Sequence, residues 1–181
     1  TFSATSSSWT VSGANTSINN FRFTSSVSDL VLCLDITAAN VTVSNVYATD
    51  AGATLEILTP FKATGAANTS DNLWIENCRF VSTSTACLEM LQLDAATNGL
   101  VFIDNFMVTE GTTTAVLIVG PTGAHLNAYI ARNKISTKIA SGNLGIDLAS
   151  TSCTGLMIDN HIGHADTTTT HDFGGTGAGF R

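Results

Sequence analysis

Acidic side chains recur at one position of a short apolar run, where paired carboxylates could cleave a glycosidic bond. This position lies between two apolar residues predicted to point inward, and it holds Asp35, Glu56, Glu89 and Asp147. Residues one or two strands apart in a stacked sheet are separated by roughly 5 or 10 Å, which brackets the carboxylate separations of retaining and inverting glycosidases. Glu56 and Glu89 are therefore the candidate catalytic pair. Acids on an exposed strand need no catalysis to explain them, and a bridging Ca²⁺ is another use of the same oxygens.

A second group of potential metal ligands lies close to the C-terminus. It comprises His161, His164 and His171 together with Asp159, Asp166 and Asp172. Clustered His and carboxylate side chains can bind a metal ion, but this spacing lacks the i, i+2 alternation that puts two His on one strand face. The segment is typical of a solvated turn. The sequence predicts no metal site and no cofactor, and it contains no Ser-His-Asp, Cys-His or zinc motif.

The elements that must position these side chains recur along the chain. An apolar residue, a variable residue and an Asn occur at Ile18-x-Asn20, Val43-x-Asn45, Ile75-x-Asn77, Ile103-x-Asn105 and Ile158-x-Asn160, with a looser copy at Asn133. Successive Asn residues are 25, 32, 28, 28 and 27 positions apart, which is the range of solenoid repeats. Each repeat holds a second apolar run, such as ATLEILTP at 53–60 or CLEMLQL at 87–93. The sequence therefore predicts two strands in each repeat and no helix.

The recurring Asn is predicted to point inward at a bend, where its amide would bond the Asn of the next turn. The predicted ladder comprises Asn20, Asn45, Asn77, Asn105, Asn133 and Asn160. Over roughly residues 17–165, this pattern resembles the right-handed parallel β-helix of the pectate-lyase-like superfamily, as in phage tailspikes and related virion proteins. The resemblance implies an all-β solenoid of about six coils at 1–165, followed by a Gly/Thr-rich segment at 166–181 that leads into a missing coil or cap. It specifies no active site.

Large apolar side chains are predicted to form a column on the outside of this solenoid. Alternation along the strand sends the residue three before each ladder Asn outward, giving Thr42, Trp74, Phe102 and Met157, with Tyr129 if one coil carries a bulge. Such a stripe is unusual on a monomer. It could stack on sugar rings or form the seam between subunits. The seam is favoured, because interface cores are rich in aromatic residues and Met.

Composition limits the partners of the chain. Hydrophobic residues make up 44% and charged residues 12%, and no apolar run approaches the ~18 residues that span a bilayer. The net charge of −7, with only seven Lys and Arg, argues against binding to nucleic acid. The four cysteines are predicted to be free thiols, which suits assembly in a reducing cytoplasm.

These observations favour a non-enzymatic structural protein of a phage virion, assembled in the host cytoplasm. The resemblance implies a capsid decoration, fibre or spike component that forms a homotrimer and contacts other virion proteins. Two alternatives remain open: a tailspike-type depolymerase (a glycoside hydrolase or polysaccharide lyase) that uses Glu56 and Glu89, and a module that binds a host-surface glycan without chemistry.

Overall fold

The computed structural model describes residues 4, 6–50, 54–110, 116–120, 123–137, 145–148, 152–164 and 179–180. Over these residues the chain is all-β without a helix, and its strands stack in parallel as a β-solenoid. The prediction of a parallel β-helix is confirmed. Each turn contributes three main strands, however, and not the two predicted from the sequence.

The strands follow one another in layers. The first three layers contain β1 (Trp9–Val11), β2 (Ser17–Asn19) and β3 (Arg22–Thr24); β4 (Leu34–Ile36), β5 (Thr42–Ser44) and β6 (Tyr47–Thr49); and β7 (Phe61–Ala63), β8 (Trp74–Glu76) and β9 (Arg79–Ser82). The fourth and fifth contain β10 (Glu89–Leu93), β11 (Thr97–Asn98), β12 (Val101–Ile103) and β13 (Phe106–Thr109); and β14 (Val116–Gly120), β15 (His125–Leu126), β16 (Ala128–Ala131) and β17 (Lys134–Thr137). The sixth contains β18 (Ile146–Leu148), β19 (Thr154–Ile158) and β20 (His161–His164), and β21 (Gly179–Phe180) follows.

Three parallel sheets form the sides of the solenoid. The first sheet joins β1, β4, β7, β10, β14 and β18; the second joins β2, β5, β8, β12, β16, β19 and β21; the third joins β3, β6, β9, β13, β17 and β20. A small extra sheet pairs β11 with β15. The pairing of β21 with β19 places Gly179 and Phe180 one layer beyond the sixth, inside the segment predicted to lead into a further coil.

The core fills the space between the sheets, and alternation along each strand selects its members. In the second sheet, one inward column runs through Ile18, Val43, Ile75, Phe102, Ile130 and Met157. Its four central members are fully buried, and Ile18 and Met157 are partly buried against the core. Burial of each large apolar side chain contributes about 1.5–3 kcal/mol, so this column stabilises the stack along its whole length.

One residue at the corner between the second and third sheets has a left-handed backbone in every layer. These residues are Asn20, Asn45, Asn77, Asp104, Arg132 and Asp159, with φ between 49° and 61°. The corner before the second sheet repeats the feature at Asn15, Asn40, Asn72, Gly99 and Asn127. Asn, Asp and Gly adopt this conformation at the least steric cost. The backbone requirement therefore explains much of the recurrence of Asn.

The predicted inward ladder is wrong for Asn20, Asn45 and Asn77, which are exposed at the left-handed corner. Asn77 is level with Asp104 of the next layer, because Ile75 pairs with Phe102 and not with Ile103. The apolar-x-Asn pattern thus occurs in two registers that differ by one residue. A one-residue slip reverses the side of the sheet that each side chain faces.

The later Asn residues do form an interior ladder. Asn105 and Asn133 are buried, and Asn105 Nδ2 donates to Asn133 Oδ1 at 3.1 Å while Asn133 Nδ2 donates to Asn160 Oδ1 at 2.9 Å. Asn105 Oδ1 also accepts the backbone N–H of Cys78 at 2.9 Å. A second, exterior ladder runs from Asn77 through Asn45 to Asn19, with Nδ2 to Oδ1 distances of 2.5 and 2.9 Å.

All four cysteines are buried and free. Burial raises the pKa of Cys78 and of Cys87 to about 12. In the described part of the chain, no helix is long and apolar enough to cross a membrane.

Candidate functional site: the outer face of the second sheet

The acids predicted to share one column do not stack on one another. The outward column of the first sheet includes Asp35, Lys62, Gln92 and Asp147, which the backbone register aligns. Glu56 and Glu89 both lie outside it. The prediction that Glu56 and Glu89 stack in one outward column is therefore wrong.

In the fourth layer the outward position that pairs with Lys62 belongs to Gln92, three residues after Glu89. For Glu56, the cause is the misplacement of one strand in the third layer. The apolar run at 53–60 has the composition of a strand, but the strand that pairs with both neighbouring layers is Phe61–Ala63. Ile57 forms only an isolated bridge with Leu30. The longest of the repeats, 32 residues, contains this additional segment.

Glu89 is a buried carboxyl in the wall of the core. Its Oε1 accepts a hydrogen bond from Thr59 Oγ1 at 2.7 Å. Burial raises the pKa of Glu89, while the Thr59 hydrogen bond and the charge of Lys62 lower it. Because the side chain is 6% exposed and its bond is to Thr59, no face of the solenoid presents it to a polymer.

Glu56 has a different environment, on the segment that precedes Phe61. Burial raises its pKa, a hydrogen bond with Ser84 lowers it, and the charges of Asp29 and Asp50 raise it again. Asp50 is itself engaged, since its carboxylate accepts the backbone N–H of Ile57 at 2.9 Å. The hydrogen bond from Ile57 to Asp50 therefore holds the segment that carries Glu56 in place.

The predicted C-terminal ligand cluster is only partly within the described residues. His171, Asp166 and Asp172 lie outside them. His161 begins β20 and is exposed, and Asp159 occupies the left-handed corner before it. Among the residues that the structure describes, no three His, Cys, Asp or Glu side chains are grouped to hold a metal ion.

The outer face of the second sheet carries apolar side chains in successive layers. Its first column runs through Thr42, Trp74, Val101, Tyr129 and Leu156, and its second through Ser44, Glu76, Ile103, Ala131 and Ile158. We call the seven outward residues of layers three to six that keep some exposure the apolar face: Trp74, Val101, Tyr129 and Leu156 in the first column, and Glu76, Ile103 and Ile158 in the second. Ala131, in the second column, is fully buried. Trp74 is 41% exposed, and Leu156 and Ile158 are each 37% exposed.

Two of the four predicted interface residues lie on this face and two do not. Trp74 and Tyr129 point outward, as predicted. Phe102 is fully buried, and Met157 packs partly against the core, so both of these predictions are wrong. The reason is the same one-residue register difference that separates the two groups of Asn. The outward positions in those layers belong to Val101 and Leu156.

The apolar-x-Asn pattern does not reveal the second outward column of the apolar face. It predicts that Ile103 and Ile158 point inward, because each precedes an Asn by two residues. The signal that identifies them is the acidic residue that follows, Asp104 or Asp159, since each takes the left-handed corner position that Asn77 takes in the third layer. An apolar residue directly before that corner faces outward.

The apolar face has little charge of its own. Glu76 is its one ionisable acid, and its Oε2 accepts a hydrogen bond from Trp74 Nε1 at 2.9 Å, which holds the indole against the sheet. The β-strands beneath it are paired on both sides, so the backbone is rigid. A flat, apolar, pre-ordered surface of this kind suits packing against another protein more than chemistry on a small substrate.

Comparisons of the chain with protein-family models, with curated proteins and with solved structures give no match.

Proposed function

We propose that the chain is a non-enzymatic structural β-solenoid, and that it assembles with two further copies of itself through the apolar face. The observation that supports this most directly is the exposed Trp74, Leu156 and Ile158 on one rigid sheet. Covering each such side chain is worth about 1.5–3 kcal/mol, which rewards association.

The placement of this assembly in a phage virion is part of the same proposal. It draws on the resemblance of the apolar-x-Asn repeats to the β-helices of tailspikes and related virion proteins. A capsid decoration, fibre or spike component is the class of structural protein that this resemblance favours. The step from fold to biological setting is an analogy, because one fold serves many functions.

Structural use is favoured over glycan cleavage by the arrangement of the acids. A glycosidase needs two carboxyl groups facing one another across a groove that holds a sugar. Glu89 bonds to Thr59 inside the wall, whereas Glu56 lies on a neighbouring loop. The depolymerase alternative therefore loses the pair of residues that motivated it.

The solution mass of the protein tests the proposal. Light scattering on the wild-type chain should give three copies per particle. Trp74→Asp should shift the mass towards one copy, because a charge on the apolar face would have to be buried without a partner. Circular dichroism of the variant would check that its strands remain.

Ser136→Asp is the matched control, because it adds the same charge to an exposed position of the third sheet. Its particle mass should equal that of the wild type. A wild-type mass of one copy at high micromolar concentration would refute assembly through this face. So would an equal loss of assembly in both variants.

A further inference from the structure

The outer face of the third sheet carries a column in which cations and rings alternate. We call this set the cation–ring column; it comprises Arg22, Tyr47, Arg79, Phe106, Lys134 and His161, one from each layer. Every member lies two residues after a left-handed corner, so the fold itself brings the six side chains into register. The column is on a different sheet from the apolar face.

The rings hold the guanidinium groups in place. Arg22 Cζ lies 5.3 Å from the ring centroid of Tyr47, and Arg79 Cζ lies 5.6 Å from Tyr47 and 5.1 Å from Phe106. Contacts at this distance are attractive cation–π interactions. Arg22 and Arg79 remain exposed, and the ring contacts reduce the side-chain freedom that a ligand would otherwise have to freeze.

The charge on this face is opposite to that of the chain. The protein has 14 Asp and Glu against seven Lys and Arg, yet no Asp or Glu occurs in the strands of the third sheet. Among the described residues, Arg22, Arg79 and Lys134 form no salt bridge, and all three are exposed. The nearest acids stand at the corner, where Asp104 is already paired with Arg132 at 2.6 Å.

The spacing of the cations selects among linear polyanions. Cations occur in alternate layers, which places them roughly 9–10 Å apart along a straight line. Nucleic acid carries a phosphate every ~3.4 Å of each strand, which is much too dense for a one-to-one match. An extended acidic peptide presents side chains on one face every ~6.6–6.8 Å, which also falls out of step.

We propose that the cation–ring column binds a linear polysaccharide with one anionic group, carboxylate or sulfate, on every second sugar. One ring of an extended glycan is about as long as one step of the solenoid, so alternate sugars would meet alternate cations. Each guanidinium can then hold an anionic group through two parallel N–H donors. The proposal concerns binding without cleavage, and it does not depend on assembly through the apolar face.

The test is equilibrium binding of the whole chain to defined glycans at low salt. Hyaluronan carries carboxylate on alternate sugars, keratan sulfate carries sulfate alone, and dextran is neutral. Binding to hyaluronan or keratan sulfate, falling steeply with added salt, is expected, and dextran should not bind. The two anionic glycans distinguish the carboxylate from the sulfate as the group that is recognised.

Variants show whether the column is responsible. Arg79→Gln should weaken glycan binding about tenfold or more, since it removes a charge-assisted pair of hydrogen bonds at the centre of the column. Lys62→Gln is the control, because it removes the same charge from the first sheet. If Arg79→Gln melts early, Lys134→Gln gives the same test at an exposed position with no ring contact to lose among the described residues.

Three outcomes would overturn the proposal. One is the absence of binding to both anionic glycans. Another is an equal effect of Arg79→Gln and Lys62→Gln, which would indicate attraction by overall charge. The third is tighter binding to single-stranded oligothymidine than to either glycan, which would assign the column to nucleic acid.

Discussion

At the scale of single residues, Asn serves two separate purposes in this solenoid. Asn77 and its counterparts are selected by a backbone that turns left-handed, and their side chains face solvent. Asn105 and Asn133 are selected by their amides, which join successive layers inside the core. The two kinds of Asn should therefore respond differently to substitution. The corner Asn is needed for its positive φ, whereas the interior Asn is needed for its buried hydrogen bonds.

Asn105→Ala should reduce the free energy of unfolding by about 1–3 kcal/mol, because it leaves the buried N–H of Cys78 without its acceptor and removes one of the two donors to Asn133 Oδ1. Asn77→Gly should cost less than about 1 kcal/mol, since Gly adopts a positive φ without strain. Chemical denaturation of both variants measures the difference. Equal losses would contradict the division of Asn residues into interior and corner positions.

A buried histidine should make stability depend on pH. His125 is fully buried, and its Nδ1 lies 3.0 Å from Thr97 Oγ1. Burial lowers its pKa below the ordinary value of 6.5, so the unfolded chain binds a proton more readily than the folded chain. The contribution of neutral His125 is present above pH 6.5 and is lost as the pH falls below it.

Thermal melting against pH tests this prediction. The stability advantage of the wild type over His125→Gln should shrink between about pH 7 and about pH 5. Comparison with a variant is needed because burial also raises the pKa of Glu56 and Glu89, which stabilises the fold as the pH falls. His161→Gln, at an exposed position, is the control. A constant difference for His125→Gln would show that its ring does not titrate across unfolding.

At the scale of elements, the sequence predicts the solenoid and its repeat but not the number of strands in a turn. The strands of the second and third sheets are separated by only two residues, such as Asn77 and Cys78, so they look like one continuous apolar run. Periodicity alone cannot mark that corner, because the alternation resumes almost at once. In the structure, the corner is identified by its left-handed residue, which is Asn in the first three layers but Asp104 or Arg132 in later ones.

The same ambiguity limited the prediction of the site. The pattern predicts the outward position of Trp74 correctly because Asn77 lies at the corner. It fails for Phe102 because Asn105 lies in the core. The predicted position of Glu56 was wrong for another reason. An additional segment before Phe61 imitates a strand, and only pairing with both neighbouring layers distinguishes the two.

A glycine in β19 tests how closely the layers must approach. Gly155 has a φ of 152°, and a Cβ at this position would lie 2.0 Å from the carbonyl oxygen of Ala128 in β16. Gly155→Ala should therefore cost at least about 2 kcal/mol, since the clash is with backbone. Gly163→Ala is the control, because its Cβ would meet Ile135 O at an ordinary 3.5 Å. Similar denaturation midpoints for both variants would contradict the pairing of β16 with β19.

At the scale of the whole molecule, the solenoid presents sheets of different chemical character. The second sheet presents the apolar face, and the third presents the cation–ring column. The parallel stacking fixes both, because every column repeats one position of the turn. We expect the two faces to act independently, one in assembly and one in binding. The central claim is that the apolar face is covered by neighbouring copies.

Quenching of Trp74 fluorescence tests that claim most directly. The chain has two Trp, so Trp9→Phe leaves Trp74 as the sole reporter, and Trp74 is 41% exposed in the single chain. Assembly through the apolar face predicts that acrylamide quenches Trp74 weakly at micromolar protein and more strongly on dilution, as the copies separate. Quenching as strong as that of a free indole, at every protein concentration, would show that the face stays open to solvent and would contradict the account.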